Sequence, residues 1–267
     1  MIKNKITVPL LAKKVEQGEK IAMITCYDYA FATLLDASGV DILFVGDSLG
    51  DNVLGYDSTL PVTVEEIIHH ARAVRRGTHH ALVLADMPFM SYQINPEEAL
   101  RNAGRMMKEA GIEAVKIEGG KAFAPTVRKL VESGVPVMGH VGLTPQSINV
   151  LGSYRIQGKS RDSAERILED AQELSDAGAF AIVLELVPSE LARQITEAIS
   201  AATIGIGAGP HCDGQVLVMH DLLGLNPDRN FRHVRRYAEA GKLIENAARH
   251  FVEDVRTGVF PSEDNSN

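Results

Sequence analysis

Cysteine is nearly absent from this chain: Cys26 and Cys212 are the only two in 267 residues. They form neither a disulfide framework nor a CxxC metal or redox motif, so a reducing compartment is expected and both thiols read as ordinary buried or half-buried groups. Long apolar runs are missing as well. No stretch approaches the roughly 18 to 20 residues that a membrane-spanning helix needs, and the start MIKNKITVPL lacks the apolar segment of a secretion signal. The expectation is a cytoplasmic protein with no membrane partner. Clustered positive charge is the third absence. With 27 Lys and Arg against 35 Asp and Glu the formal net charge is −8. The small basic clusters, Arg72 with Arg75 and Arg76 and Arg232 with Arg235 and Arg236, follow expected helices and read as solvated faces. A nucleic-acid partner, which needs clustered cations against phosphate, is not expected.

What the chain does have is a regular alternation. Eight apolar runs read as strands: 21–26, 41–46, 81–86, 114–119, 135–140, 181–186, 202–207 and 215–220. Most are continuous rather than alternating, as expected of parallel strands buried on both faces. Between them lie amphipathic stretches such as VTVEEIIHHARAVRRG and NPEEALRNAGRMMKEAG. Pro96 after Asn95 marks a helix start, and Gly77, Gly111 and Gly178 are expected just past helix ends. This order predicts a (β/α)8 barrel rather than an open sheet. Only AGPHCDG separates the last two strands, leaving no room for a helix there. A capping helix is expected at about 7–18, a polar tail at about 262–267, and one domain over 1–267.

Several of these strands end on ionisable side chains. Asp47, Asp86, Glu118, His140 and Glu185 all stand at such ends, which in a barrel is where active sites gather. In AVKIEG the period of two puts Lys116 and Glu118 on the same side. Carboxylates with a lysine suit a hard divalent cation and an anionic substrate: Mg²⁺ takes one or two carboxylates and fills its shell with water and substrate oxygens. Asp47 and Asp86 fit that role, and Lys116 and Ser48 offer charge and hydrogen bonds to a 2-oxo acid. Other motifs carry less. GIGAGP (205–210) lacks the third glycine and the following helix of a dinucleotide loop. His69–His70 and His79–His80 lack ligand spacing within each pair and are expected at the surface.

In order along the chain stand TCYDYAFA, VGDSLG, STLPVT, ADMPFMSY, VKIEGG, GHVGLTPQS, GSYRIQG, VLELVP, IGIGAG and DGQVLVMHD. This series resembles the ketopantoate hydroxymethyltransferase family. The resemblance implies a TIM barrel of the phosphoenolpyruvate/pyruvate type and a transfer of a hydroxymethyl group from 5,10-methylenetetrahydrofolate to 3-methyl-2-oxobutanoate through a metal-stabilised enolate, in pantothenate and coenzyme A biosynthesis. Carried over residue by residue, it implies Mg²⁺ on Asp47 and Asp86, with Glu118 completing the surroundings through water, and the keto acid against Asp47, Ser48, Asp86 and Lys116. Glu185 is implied as the proton acceptor. It further implies a homo-oligomer such as a decamer. Residues for the folate, and the choice among Mg²⁺, Mn²⁺, Co²⁺ and Zn²⁺, stay open. A metal-dependent C–C lyase of the same superfamily and a catalytically dead binding protein are the alternatives. A dead relative is expected to lose Asp47, Asp86 or Glu185, and all three are present.

Overall fold

A computed structural model describes residues 4–226 and 231–266, which divide after Leu217 into two compact units. The first holds eight strands: β1 Ile21–Thr25, β2 Ile42–Val45, β3 Leu82–Asp86, β4 Ala114–Glu118, β5 Val137–Gly142, β6 Ala181–Glu185, β7 Ala202–Ile206 and β8 Gly214–Leu217. Each pairs in parallel with the next, and β8 pairs with β1, closing the barrel. Its helices are α1 Val8–Glu16, α2 Tyr29–Ser38, α3 Leu49–Asn52, α4 Val64–Gly77, α5 Pro96–Ala110, α6 Ala124–Glu132, α7 Ile148–Leu151, α8 Arg161–Asp176 and α9 Ser189–Ala198. The second unit carries α10 Met219–Leu223 and α11 Ala240–Thr257. Among the described residues no helix is long and apolar enough to cross a membrane.

The expected alternation is what folds. Every residue of β2, β3 and β4 is buried, because the sheet faces packed side chains inside and helices outside. At the β1–β8 seam Ala22 and Gln215, paired in register, are exposed, and no helix forms between β7 and β8. The expected strand 215–220 stops at Leu217, and Met219 already opens α10. Helix ends follow local chemistry: Asn95 caps α5 by accepting from Glu98 N–H with Pro96 at the first turn, and Gly111 closes it in the left-handed conformation. Gly77 departs from expectation. It is the last residue of α4 rather than the one beyond it, and a side chain there would meet the Tyr29 carbonyl at 2.7 Å, so it serves the close approach of α2 to α4.

The floor is closed from the N-terminal side. Ile6 and Leu11, the latter on α1, join a buried cluster with Ile21, Ile42, Leu82, Ala114, Ala181 and Ala202, residues at the beginnings of strands. The ionisable strand ends lie at the opposite, C-terminal side of the same sheet. In the second unit α11 buries none of its residues, and Leu243, Ile244, Phe251, Val252 and Val255 are exposed. The polar tail is exposed over 262–266; Asn267 lies outside the described residues.

One buried carboxylate secures the entry to β3. Asp36 of α2 accepts from the backbone N–H groups of His79, His80 and Ala81 at 2.9, 3.0 and 2.7 Å. Burial alone would raise its carboxyl, but these donors outweigh burial and hold it below the usual carboxylate value. A group lowered on folding contributes stability above its unfolded pKa and loses that contribution as pH falls through the folded value. Asp36→Asn should therefore cost about 2–3 kcal/mol in urea unfolding at pH 7, and the gap to the parent protein should narrow in acid, below about pH 4. A gap independent of pH would show that the charge is not what matters.

Candidate active site

The register of the barrel brings the ionisable strand ends together. Asp86 pairs with Lys116 across β3 and β4, Glu118 with His140 across β4 and β5, and Gly142 with Glu185 across β5 and β6. Lys116 Nζ lies 2.7 Å from Asp86 Oδ1 and 3.4 Å from Glu118 Oε1, and 5.4 Å from the centre of the Phe44 ring. Asp47 follows Gly46 in the turn after β2, and its backbone N–H donates to Asp86 Oδ2 at 2.9 Å. His140 links this set to β6, with Nδ1 at 3.2 Å from Glu118 Oε1 and Nε2 at 3.3 Å from Glu185 Oε2. Asp47, Asp86, Lys116, Glu118 and His140 are all buried, whereas the Glu185 side chain keeps 19% of its surface exposed. Ser48 joins through another partner: its hydroxyl lies 2.9 Å from the Tyr27 hydroxyl. Leu186, directly after Glu185, has φ 46°, a left-handed conformation costing about 1–3 kcal/mol in a residue other than glycine.

Charge balance sets the protonation of this cluster. Burial pushes Lys116 down, but Asp86, Glu118 and Asp47 more than reverse it and hold the ammonium above the usual lysine range. Burial raises Glu118, yet Lys116 and His140 bring its carboxyl down to about 2. Burial and Lys116 push His140 down, and the neighbouring carboxylates outweigh them, so it sits above the usual imidazole value. Asp47 goes the other way. Burial, then repulsion from Asp86 and Glu118, lift its carboxyl well above the ordinary range despite Lys116. Asp86 is raised by burial and Glu118, against Lys116.

The donor set fits a hard dication. Asp47, held high by two neighbouring carboxylates, is the group whose ionisation a cation would favour, and its oxygens are the hard donors that Mg²⁺ takes. Glu118 is committed: Oε1 faces Lys116 and His140, and Oε2 accepts from Gln146 N–H at 3.0 Å. Among the described residues no three His, Cys, Asp or Glu side chains are gathered closely enough to hold a metal by themselves. Two aspartates with water and substrate oxygens meet the demand of Mg²⁺ without a third protein ligand.

Gln146 is the functional residue that pattern reading missed. It lies in the loop after β5, where backbone period says nothing about side-chain direction, and only its place in GHVGLTPQS marks it. Its Nε2 donates to Asp47 Oδ2 at 2.9 Å and to the Met87 carbonyl at 3.0 Å, while its backbone N–H holds Glu118. Its Oε1 lies 2.8 Å from the Tyr92 hydroxyl, which is also 2.9 Å from the Glu118 carbonyl, so one phenolic proton serves two acceptors in turn. Tyr27 and Tyr92, both buried, were likewise visible only as parts of longer motifs.

Comparison with known proteins places the chain in a family. The family model described as Ketopantoate hydroxymethyltransferase matches residues 5–263. A protein of Carboxydothermus hydrogenoformans named 3-methyl-2-oxobutanoate hydroxymethyltransferase is 55% identical over 263 residues, covering 98% of this chain and 95% of the relative. A protein of Heliobacterium modesticaldum with the same name has the same identity and coverage. Among solved structures, phosphonopyruvate hydrolase in complex with oxalate and Mg²⁺ superposes with a TM-score of 0.63 at 12% identity, over 97% of this chain and 93% of that one. The structure of 2,3-dimethylmalate lyase, from the PEP mutase/isocitrate lyase superfamily, superposes with 0.60 at 15% identity, over 97% and 91%. These two share the fold.

Because Gln146 donates to a carboxylate, its charge state matters more than its size. Gln146→Glu would set a third carboxylate against Asp47 and Glu118 and should destabilise the fold by about 2–4 kcal/mol, more than the about 1–3 kcal/mol expected of Gln146→Ala. Urea unfolding of both variants measures this. A Glu variant more stable than the Ala variant would contradict the assigned hydrogen bonds.

Proposed function

We propose, from the premise that this chain belongs to the ketopantoate hydroxymethyltransferase family, that it transfers a hydroxymethyl group from 5,10-methylenetetrahydrofolate to 3-methyl-2-oxobutanoate, giving 2-dehydropantoate in pantothenate and coenzyme A biosynthesis. The observation that carries the reading is Glu185: a partly exposed carboxylate on β6, held 3.3 Å from His140, two strands from Lys116 on β4 and three from Asp86 on β3. A lyase sharing the barrel has only the fold in its favour.

The residues divide the work. Asp47 and Asp86 are the ligands we assign to a divalent cation, Mg²⁺ foremost, with Glu118 behind water. When bound, the cation supplies Lewis-acid polarisation of the keto oxygen. Lys116 and Ser48 take the keto acid's carboxylate and oxygens, with Asp47 and Asp86 beside them. Glu185 removes the proton from C3, leaving an enolate whose C3 bonds to the methylene carbon of the folate as one of that carbon's two C–N bonds breaks; water then displaces the second nitrogen and supplies the hydroxyl, and the C3 proton and the water's other proton end on the two nitrogens of the departing tetrahydrofolate. His140, between Glu118 and Glu185, orients the base and shares its proton. Lys116, kept charged by its carboxylate neighbours, suits anion binding rather than Schiff-base chemistry.

The exposed apolar side chains of α11 are the feature that favours a homo-oligomer, a decamer by the family resemblance. Free thiols at Cys26 and Cys212, both buried, are compatible with the cytoplasm.

Glu185→Gln tests the base. The variant keeps size and hydrogen bonding but not basicity, so it should bind Mn²⁺ and 3-methyl-2-oxobutanoate with affinities near the parent's. Transfer, and exchange of the C3 proton in D₂O followed by NMR without folate, should fall together by roughly 10² to 10⁴ fold. Native exchange with lost transfer would move Glu185 to the folate side of the reaction and leave another group as base.

A further inference from the structure

The segment between β5 and α8 leaves and re-enters the barrel at one point. Leu143 N–H donates to the Glu185 carbonyl at 2.9 Å, and Gln157 N–H donates to the Leu186 carbonyl at 2.7 Å. Gly158 then packs so closely on α9 that a side chain would meet Leu191 at 2.6 Å. Residues 144–156 are thus an arch with both feet on the strand end that carries Glu185. Its inner face belongs to the site through Gln146. The same segment also presents apolar and aromatic side chains to solvent, with Val150 89%, Tyr154 57% and Ile156 43% exposed.

Charge along this segment is equally one-sided. Between Glu132 and Asp162 there is no Asp or Glu at all, although the chain carries 35, while Arg155 and Lys159 flank the exposed apolar residues. Elsewhere the mouth is acidic, with Asp47, Asp86, Glu118 and Glu185 at the strand ends. Burial of part of the Tyr154 ring, then the fields of Asp51, Glu185, Asp47 and Glu118, hold its phenol above the ordinary value, so the ring stands within reach of the reacting groups' field.

We propose that the exposed side chains of this arch are the binding platform for the one-carbon carrier, with Tyr154 stacking on its ring system and Arg155 and Lys159 taking its glutamyl carboxylates. The inference rests on the function proposed above and adds to it the subsite of the second substrate. A tetrahydrofolate combines the flat pyrimidine ring of its reduced pterin and a benzoyl ring with an anionic tail, and its reactive methylene lies between the two ring systems. The tail is repelled by the acidic strand ends and attracted by the acid-free arch, while an exposed aromatic side chain offers the ring a stacking surface. Because the arch is footed on the carbonyls of Glu185 and Leu186, a carrier held on Tyr154 is anchored to the strand end that bears the proposed base.

The test separates the two substrates. Tyr154→Ala should raise KM for 5,10-methylenetetrahydrofolate by about tenfold or more, the size expected for loss of a stacking partner, with KM for the keto acid and folate-free C3 exchange changed by less than about twofold. Tyr154→Phe, which keeps the ring, should stay near the parent in every readout. Arg155→Glu combined with Lys159→Glu should raise KM for a triglutamyl carrier more than for the monoglutamate. A Tyr154→Ala variant with native carrier KM would overturn the platform. So would one in which exchange falls in step with transfer, since the arch would then be a mere support for Glu185. If the parent protein neither exchanges nor transfers, the proposed function fails and the platform with it.

Discussion

The whole site depends on a single buried ammonium. Lys116 stands among Asp86, Glu118 and Asp47 with almost none of its surface exposed, and without it three carboxylates would share a space that water barely enters. Taking such charges out of water costs several kcal/mol each, and removing one partner of a buried pair typically strands the other at about 3–5 kcal/mol. One lysine does not cancel three carboxylates. The uncompensated repulsion is relieved at Asp47, whose carboxyl is lifted well above the usual carboxylate range and so favours its neutral form, and that imbalance is what supports the proposed cation there.

The barrel holds this imbalance in place by geometry alone. Register sets Asp86 beside Lys116 and Glu118 beside His140, so neither pair depends on loop conformation. Loops supply what strands cannot: Asp47 in the turn after β2, and Gln146, which joins Asp47 to Glu118 from the arch after β5. Glu185 stays partly exposed beyond His140, outside the lysine's carboxylate shell. The proposed binding groups are therefore buried and fixed, while the proposed base keeps part of its side chain exposed.

Much of this was legible in the sequence. Continuous apolar runs gave all eight strands, and the residues at their ends converge because a parallel barrel leaves them no other place. The alternation in AVKIEG put Lys116 with Glu118, and the structure brings them to 3.4 Å. Helix ends were less secure. Gly77 was expected beyond α4 and closes it instead, because contact with α2, a tertiary fact, decides its position. The last strand ended three residues early for a similar reason, since VLVMH is as apolar in a helix as in a strand. Gln146, Tyr27 and Tyr92 were not singled out. Each acts from a turn or loop, where no periodicity reveals direction, and each matters through partners far away in sequence, Gln146 and Asp47 being 99 residues apart.

The central claim is that Lys116 serves the substrate anion while opposing the metal, and Lys116→Met addresses it directly. Circular dichroism establishes folding, and calorimetric titration then measures Mn²⁺ and 3-methyl-2-oxobutanoate separately. The lost ammonium should leave Mn²⁺ affinity equal to or higher than the parent's, because the carboxylates are less neutralised, while affinity for the keto acid falls by about tenfold or more. A folded variant that binds the keto acid as the parent does, or that loses metal and keto acid in equal measure, would contradict the account.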